Sequence, residues 1–402
     1  MQQHPSITYE DGGKAIKGEL VEPTAAVKLN ESYCASCSLC ASLCPFEAIK
    51  RDPETRKMIL EIEKCQVCGI CYSSCPAKAI DIFYYDLASL TRYLESARQE
   101  YNSDTLVIAC KGSSPDFNAV ANLFGVSKFV PLSVPCVGRI SGDVFLKAIA
   151  SLGINKIYVL ACDDNYCRFE RGSALTGRRV TVLNLLLEQL GFGKDVIVLK
   201  RNSPKVKADR DKCIRCGSCV FYCPYEAVKL NGTEPASFDL ELCHGCGICV
   251  AMCPAMALEL EGWEREYISA LISRLCSQME QPKILVFRCQ WSTFSLLDSD
   301  LEPNVRLIDL PCAGRVDTFH ILESFAQGVD GVMVAACPEE DCKLKDGSRE
   351  AYHSILALKG KLDQVGLGER LHFCFVAPRY PQNFAQELRR FKEKLEITIK
   401  GG

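Results

Sequence analysis

The sequence contains little histidine and tryptophan, no strong excess of either charge and no long apolar run. Only 5 histidines and 2 tryptophans occur among 402 residues, and the scarcity of histidine leaves few side chains suited to acid–base catalysis near neutral pH. Lysine and arginine number 47 against 50 acidic residues, so neither a nucleic-acid-binding surface nor an acidic disordered tail is indicated. The apolar stretches are far shorter than the roughly 18 residues of a membrane span.

Signatures of export and of nucleotide binding are also missing. The first 20 residues have no apolar segment and no twin arginine, so we expect no secretory signal and a cytoplasmic location. No Gly-x-Gly-x-x-Gly turn follows a strand pattern, and no Walker loop occurs. These absences favour a protein without a substrate site of its own, so we expect flavin, nickel or molybdenum chemistry to belong to partner subunits.

Cysteine is the abundant residue, with 26 in the chain. In a reducing cytoplasm, such cysteines indicate metal sites rather than disulfides. Most of them recur after 175 to 179 residues, from Cys34 with Cys213 to Cys167 with Cys342. This spacing predicts a tandem duplication of one module, in which a small cysteine-dense domain precedes a parallel-sheet α/β domain. The predicted cysteine-dense domains are 27–82 and 206–260, and the predicted α/β domains are 104–200 and 283–398.

Each copy begins with two Cys-x2-Cys-x2-Cys-x3-Cys-Pro motifs. Three thiolates at this spacing can wrap around three corners of an iron–sulfur cube, while the cysteine before proline reaches the neighbouring cube. Four [4Fe–4S] clusters are predicted, with these ligand sets: Cys34, Cys37, Cys40 and Cys75; Cys65, Cys68, Cys71 and Cys44; Cys213, Cys216, Cys219 and Cys253; Cys243, Cys246, Cys249 and Cys223. Zinc, the alternative, prefers two separated Cys-x2-Cys pairs. Both blocks resemble bacterial two-cluster ferredoxins, and the resemblance implies a small α+β ferredoxin-like fold for 27–82 and 206–260.

Glycine follows the second cysteine in three of the four motifs, as Gly69, Gly217 and Gly247, with Ser38 as the exception. We expect glycine here to let backbone amides approach the cluster sulfurs. The polar stretch 200–212 between the two copies is interpreted as a linker, with a basic docking patch as the alternative.

Short β-rich runs alternate with helical segments after each cysteine block. The predicted strands include 105–110, 283–289 and 305–310, and the predicted helices include 87–101, 265–279 and 381–396. This alternation predicts a parallel, doubly wound sheet. Four cysteines of each copy fall at or just beyond the carboxyl ends of predicted strands, where loops converge to bind ligands. They form two predicted [2Fe–2S] sites: Cys110, Cys136, Cys162 and Cys167; Cys289, Cys312, Cys337 and Cys342. Cys276 and Cys374 have no counterparts and are interpreted as core thiols.

The α/β segments resemble the delta subunit of methyl-viologen-reducing hydrogenase. The resemblance rests on Pro135-Cys136-Val-Gly-Arg139, Pro311-Cys312-Ala-Gly-Arg315, the two Cys-x4-Cys pairs and Cys289-Gln-Trp291. It implies a [2Fe–2S] cluster in each α/β domain and electron transfer to a flavin-containing, heterodisulfide-reductase-like subunit. Arg139 and Arg315 follow a predicted ligand by three residues and are predicted to contact a cluster and raise its potential. A salt bridge that holds the loop is the alternative.

The leading functional hypothesis is a relay of single electrons through four [4Fe–4S] and two [2Fe–2S] clusters. The relay would connect a primary oxidoreductase, of hydrogenase or formate dehydrogenase type, with a flavin-containing subunit that splits or merges electron pairs. A soluble ferredoxin is a further candidate partner. The alternative is a disulfide or dithiol reductase that uses the α/β-domain cysteines itself, although Cys-x4-Cys is not the thioredoxin-like Cys-x2-Cys spacing. The number of oxygen-sensitive sites indicates an anaerobic host.

Overall fold

The computed structural model describes residues 25–83, 85–114, 117–294 and 301–401. The chain divides into two compact units, with the boundary between Ser203 and Pro204. The first 20 residues, for which we expect no secretory signal, lie outside the described residues. Among the helices of the described part, none combines the length and apolarity that crossing a membrane requires.

The cysteine-rich part of the first unit consists of two short antiparallel sheets and two short helices. Its elements are β1 (Val27–Leu29), α1 (Leu39–Leu43), β2 (Ile49–Arg51), β3 (Met58–Leu60), α2 (Ile70–Ser74) and β4 (Ile80–Ile82). β1 pairs with β4, and β2 pairs with β3. Both helices end just before a Cys-Pro pair because a following proline favours extended backbone, and Cys44 and Cys75 have ψ angles of 113° and 114°.

The rest of the first unit is a four-stranded parallel sheet with helices on its faces, as the alternating pattern predicts. Its elements are α3 (Leu87–Tyr101), β5 (Thr105–Cys110), α4 (Phe117–Phe124), β6 (Val130–Val134), α5 (Gly142–Ala150), β7 (Lys156–Ala161), α6 (Gly172–Gln189) and β8 (Ile197–Arg201). The strand order is β6-β5-β7-β8, and every pair is parallel.

The second unit begins with a cysteine-rich part of the same design. Its elements are β9 (Val206–Ala208), α7 (Ser218–Phe221), β10 (Val228–Lys229), β11 (Ser237–Phe238), α8 (Ile248–Ala251) and β12 (Leu258–Leu260). β9 pairs with β12. The interpretation of 200–212 as a linker is therefore wrong for its middle, because pairing with β12 satisfies the backbone of 206–208 and buries Val206 in the core.

The α/β part of the second unit also has a parallel sheet, with the order β14-β13-β15-β16. Its elements are α9 (Arg265–Cys276), β13 (Ile284–Cys289), β14 (Val305–Leu310), α10 (Thr318–Ala326), β15 (Gly331–Ala336), α11 (Gly347–Asp363), β16 (Leu371–Phe375) and α12 (Pro381–Gly401). α12 buries Phe384, Phe391 and Leu395 against one face of this sheet.

In both sheets the first strand of the α/β part lies in the interior. The chain runs from β5 outward to β6 and then returns to add β7 on the other side of β5. The loops that follow β5 and β7 therefore leave the sheet in different directions, which opens a crevice at the carboxyl ends of the strands. The strand order of the second unit creates the same crevice between β13 and β15.

Candidate metal centres

Two cysteine sets lie toward the surface and are called the outer sites: Cys34, Cys37, Cys40 and Cys75 in the first unit, and Cys213, Cys216, Cys219 and Cys253 in the second. Each set lines one pocket that opens to solvent. Cys37 and Cys216 are exposed. Each pocket offers four thiols around space that a cube would fill.

The electrostatics of the outer sites show that the cysteine before proline crosses over to join the other motif. Burial raises the pKa of Cys40, and the charges of Cys75, Cys34 and Cys37 raise it further. In the second unit, burial raises the pKa of Cys219, with added contributions from its three companions, Cys253 among them. The structure therefore brings together both predicted outer sets.

The other two ferredoxin-type sets are called the inner sites: Cys65, Cys68, Cys71 and Cys44 in the first unit, and Cys243, Cys246, Cys249 and Cys223 in the second. Burial raises the pKa of Cys68 to about 12, and Cys65 and Cys44 add to the rise. Burial likewise raises the pKa of Cys249, as do the other three thiols of its set. Because these buried thiols resist ionisation in the free protein, metal binding at the inner sites must displace protons.

A [4Fe–4S] cluster and a single metal ion place different demands on four thiols. A zinc ion draws all four thiolates to about 2.3 Å from one centre, whereas each thiolate of a [4Fe–4S] cluster binds a different iron. Within the described ranges, no three His, Cys, Asp or Glu side chains are arranged to hold one metal ion.

The remaining predicted ligands form one site in each α/β part, called the α/β sites. Cys110 ends β5 and Cys162 follows β7, so the crevice between these adjacent strands brings their Sγ atoms to 3.5 Å. The equivalent Sγ atoms of Cys289 and Cys337 are also 3.5 Å apart. Two thiolates on one tetrahedral metal ion require a similar separation when the metal–sulfur bonds are about 2.3 Å, the Zn–S value. The separation thus fits two thiolates on one tetrahedral metal ion.

The other two thiols of each α/β site lie at the beginning of a long helix. A Cβ atom on Gly172, the first residue of α6, would be 2.2 Å from the Cys136 Sγ and 3.7 Å from the Cys167 Sγ. A hydrogen bond from the Cys136 thiol and backbone N–H groups of Ser173, Phe169 and Gly172 lower the pKa of Cys167 to about 6. The helix start thus favours thiolate at this position.

The second unit repeats this arrangement at the start of α11. A Cβ atom on Gly347 would be 2.0 Å from the Cys312 Sγ. The Cys312 thiol and the backbone N–H groups of Leu344 and Ser348 help to lower the pKa of Cys342 to about 5. Sequence reasoning missed both glycines, although Gly172-Ser173 and Gly347-Ser348 recur at the same 175-residue spacing as the adjacent cysteines.

A buried basic residue next to each α/β site was also missed. Arg168 and Lys343 directly follow the last cysteine of the two sites, and both are at most partly accessible. Burial lowers the pKa of Lys343, while the charges of Cys337 and Cys342 act in the opposite direction. A cation at this position offsets part of the negative charge that several thiolates bring into a buried site.

Each α/β site is next to the inner site of the same unit. The charge of Cys68 contributes to raising the pKa of Cys136, after the larger effects of its Cys167 hydrogen bond and of burial. Cys246 contributes in the same way to the pKa of Cys312, and both thiols belong to one buried cluster with Ile248 and Leu344. The three sites of a unit are therefore ordered outer, inner, α/β, from the surface toward the interior.

Polar contacts hold the two parts of the first unit together at this junction. The Ser73 hydroxyl on α2 donates to the Gly138 carbonyl at 2.8 Å. The partly buried guanidinium of Arg179 on α6 donates to the carbonyls of Gly138 and Ile140 and to the Ser73 hydroxyl. These contacts limit how far the inner and α/β sites can separate.

Arg139 and Arg315 lie against the inner ferredoxin-type loops. A Cβ atom on Gly69 would be 2.7 Å from the Arg139 Cβ, and one on Gly247 would be 2.6 Å from the Arg315 Cδ. Both arginines are at most 1% exposed. Each side chain therefore lies between the α/β site that precedes it in the sequence and the inner site of the same unit.

Cys276 and Cys374 lie away from these sites. Both are buried in hydrophobic clusters, Cys276 among residues of α9 and Cys374 beneath α12. Burial raises the pKa of each thiol, so both are neutral at physiological pH. Their surroundings agree with their interpretation as core thiols.

Family models match most of the described sites. The model of the methyl-viologen-reducing hydrogenase delta subunit matches residues 107–215 and 284–397, together more than half of the chain. Two models of 4Fe–4S dicluster domains match residues 33–80 and 206–260.

Curated relatives are similar to different parts of the chain. A subunit of the ferredoxin/F420H2-dependent CoB–CoM heterodisulfide reductase of Methanosarcina acetivorans is 32% identical over 219 residues, which cover 52% of this chain and 27% of that protein. The iron–sulfur subunit of the vhc F420-non-reducing hydrogenase of Methanococcus voltae is 31% identical over 123 residues, which cover 29% of this chain and 85% of that protein. The iron–sulfur subunit of the Archaeoglobus profundus F420-non-reducing hydrogenase is 29% identical over 122 residues, which cover 29% of this chain and 89% of that protein.

Proposed function

Because this chain belongs to the family of the methyl-viologen-reducing hydrogenase delta subunit, we propose that it is an electron-transfer subunit with three iron–sulfur clusters in each unit. The outer and inner sites would each hold a [4Fe–4S] cluster, and the α/β sites would each hold a [2Fe–2S] cluster, on the 24 cysteines assigned above. When bound, such clusters accept and release single electrons.

The observation that carries this proposal is the order of the sites within a unit. The outer site has an exposed thiol, Cys37 or Cys216, so a redox partner can approach it closely. The inner site is buried and adjoins the α/β site through Cys68 and Cys136, or through Cys246 and Cys312. A row of adjacent one-electron centres that leads inward from the surface is suited to relay electrons rather than to transform a substrate.

The proposed partners follow from the relatives. One group of relatives is named as the iron–sulfur subunit of a hydrogenase, and another group is named as part of a heterodisulfide reductase. We propose that this chain connects a primary oxidoreductase, of hydrogenase or formate dehydrogenase type, with a flavin-containing, heterodisulfide-reductase-like subunit in the cytoplasm of an anaerobe. A soluble ferredoxin could exchange electrons with an exposed outer site.

The test is the content of iron, acid-labile sulfide and zinc per chain in anaerobically purified protein, with EPR spectra after dithionite reduction. We expect about 20 iron atoms, no stoichiometric zinc, and a [2Fe–2S] signal beside the [4Fe–4S] signals. Replacement of Cys312 and Cys337 by alanine should remove one binuclear cluster and leave the cubes. A chain with about 16 iron atoms and no binuclear signal would contradict the proposal.

The same preparation tests the dithiol alternative. The 3.5 Å separation of Cys110 and Cys162 is also short enough for a redox-active thiol pair. If the α/β thiols are free of iron and the isolated chain reduces a disulfide substrate with dithionite-reduced viologen as donor, the chain is a reductase. The relay predicts no such turnover without partner subunits.

A further inference from the structure

Arg315 has more buried donors than the surrounding protein can satisfy. Its side chain is fully buried, and its Nη2 group donates to the Trp263 carbonyl at 2.9 Å. Its Nε and Nη1 groups are also buried, and no acceptor for them lies among the described residues. Since a buried donor without an acceptor is destabilising, and more so when it is charged, these N–H groups require an acceptor from outside the polypeptide.

The position of the side chain shows where that acceptor would be. The Arg315 side chain lies along Gly247, which follows the inner-site thiol Cys246, and a Cβ atom there would be 2.6 Å from the Arg315 Cδ. Burial lowers the pKa of Arg315 to about 10, while the charges of Asp317, Glu259 and, least of the three, Cys249 oppose this effect. The guanidinium is therefore positively charged at neutral pH and lies within the electrostatic reach of the inner thiols.

The first unit has the same arrangement. The Arg139 Nε is 3.2 Å from the position of a Cβ atom on Gly69, and its Nη1 donates to the carbonyl of Val67 in the inner loop at 3.4 Å. The charge of Arg139 favours the thiolate of Cys68, although burial of that thiol has the larger, opposite effect on its pKa. A buried arginine against the inner loop is therefore a feature of both units.

The outer loop of the second unit differs at the corresponding position. Gly217 has the same left-handed backbone as Gly247, with φ of +81° against +79°, but nothing lies within 4 Å of a Cβ atom on Gly217. The loop conformation is thus common to both sites, while the arginine is found only at the inner one. This contrast indicates that the arginine serves the inner site and is not a requirement of the cysteine motif.

We propose that Arg315 and Arg139 donate hydrogen bonds to the sulfur atoms of the inner [4Fe–4S] clusters and make these clusters easier to reduce than the outer ones. The inference rests on the proposed function, since it requires clusters at the inner sites. A reduced cluster carries one more negative charge, and charged N–H donors to its sulfurs stabilise that state. The arginines thereby hold an incoming electron at the inner site, beside the α/β site.

Redox titration of the full-length, cluster-loaded chain tests this role. Arg315→Met removes the charge and all donors while keeping a long apolar side chain. We expect the midpoint potential of one [4Fe–4S] cluster to fall by about 59 mV. For a one-electron couple, this fall corresponds to a tenfold rise in the oxidised-to-reduced ratio at a fixed potential. Arg315→Lys keeps the charge without the planar fork, and its shift should be smaller. Arg139→Met should lower the midpoint potential of a second [4Fe–4S] cluster, and the double variant should show both changes.

Arg349→Met is the matched control, because it removes one arginine charge from the same unit. Arg349 is half-exposed on α11 and pairs with Asp346 and Glu350, so its loss should leave every potential unchanged. The inference fails if Arg315→Met retains its full iron and sulfide content with unaltered potentials, or if Arg349→Met produces the same shift. Absence of cluster signals from the unmodified chain would instead contradict the proposed function.

If Arg315→Met does not fold, a measurement on the unmodified chain can test the proposed hydrogen bonds directly. With arginine labelled by 15N in the guanidinium group, pulsed EPR of the reduced chain should detect coupling between 15N and a [4Fe–4S] spin. The coupling should persist in Arg139→Met, which leaves Arg315 in place. If the reduced [4Fe–4S] clusters of the labelled chain show no 15N coupling, the proposed hydrogen bonds do not exist.

Discussion

Gly347 lies so close to Cys312 that a Cβ atom on the glycine would be 2.0 Å from the cysteine Sγ. The first residue of α11 is thus in direct contact with a proposed cluster ligand, and Gly172 has the same relationship to Cys136 in the first unit. No side chain can be accommodated at that distance, so the glycine allows the helix to begin at the thiols.

We expect Gly347→Ala to displace Cys312 and to remove the iron of the second α/β site, about two atoms per chain. The other clusters should remain because their ligands are on separate loops. Iron and sulfide analysis with EPR measures the loss. Gly360→Ala, in the same helix with nothing within 4 Å of its new Cβ atom, should retain all iron and stabilise the chain by about 0.8–1 kcal/mol. Equal iron content in the two variants would refute the steric explanation.

A second pair of glycines separates backbone strain from a steric clash. Gly247→Ala and Gly217→Ala both place a side chain on left-handed backbone, which costs roughly 1–2 kcal/mol. Only the first also collides with Arg315. We therefore expect Gly247→Ala to lower the thermal unfolding midpoint more than Gly217→Ala and to lower an inner cluster potential. If Gly247→Ala and Gly217→Ala have similar thermal unfolding midpoints and similar cluster potentials, the contact with Arg315 has no energetic consequence.

Crossed ligation by the cysteine before proline can be tested by combining variants. Cys44→Ala should remove the inner cluster of the first unit, because the charge of Cys44 acts on Cys68 and Cys71. Cys44→Ala combined with Cys65→Ala should therefore lose no more iron than Cys65→Ala alone, about four atoms. Cys44→Ala combined with Cys34→Ala should instead lose about eight iron atoms, because these two cysteines belong to different predicted clusters. Additive loss in the first double variant would exclude a shared site.

Cys276→Ala is the control for this series, since Cys276 is a buried thiol in the hydrophobic core of α9. It should retain the full iron content while losing some stability through the small cavity that it creates. Iron loss in this variant would indicate that any buried cysteine substitution disturbs the clusters.

The buried His320 should make stability depend on pH. Burial and the nearby positive charge of Arg315 lower the pKa of His320 from 6.5 to about 4. In the unfolded chain His320 binds a proton below about pH 6.5, whereas in the native chain it binds one only below about pH 4. The contribution of neutral His320 to the free energy of unfolding is therefore complete above pH 6.5. It is lost as the pH falls from 6.5 toward 4, by up to about 1.4 kcal/mol per pH unit.

His320→Gln should reduce this dependence. The measurement is the urea unfolding midpoint of the anaerobic protein between pH 7.5 and 5.5. The midpoint of the variant should fall less steeply with decreasing pH than that of the unmodified chain. His353→Gln, on the exposed side of α11, is the control and should leave the slope unchanged. Parallel curves for His320→Gln and the unmodified chain would show that His320 does not set the pH dependence.

Most elements of the α/β parts could be predicted because their signals are local. The runs 105–110 and 305–310 are strands with those bounds, and α3 spans Leu87–Tyr101 as its helical spacing predicts. Boundaries that depend on packing were less accurate. The predicted helix 265–279 ends at Cys276, and the helix predicted for 381–396 continues to Gly401. The strand at 206–208 could not be recognised because its pattern is too short without its partner β12.

The sequence by itself determined the kind of chemistry, because three cysteines at three-residue spacing form a cluster-binding loop through local backbone geometry alone. It also determined that the motifs occur twice. Only the tertiary structure decided which sites are neighbours. Cys110 and Cys162 are 52 residues apart in sequence, and the strand order β6-β5-β7-β8 brings their sulfurs to 3.5 Å. Arg315 follows Cys312 in the chain, but the aliphatic part of its side chain lies against Gly247 of the inner loop. Such contacts depend on how separate elements pack, which local spacing does not encode.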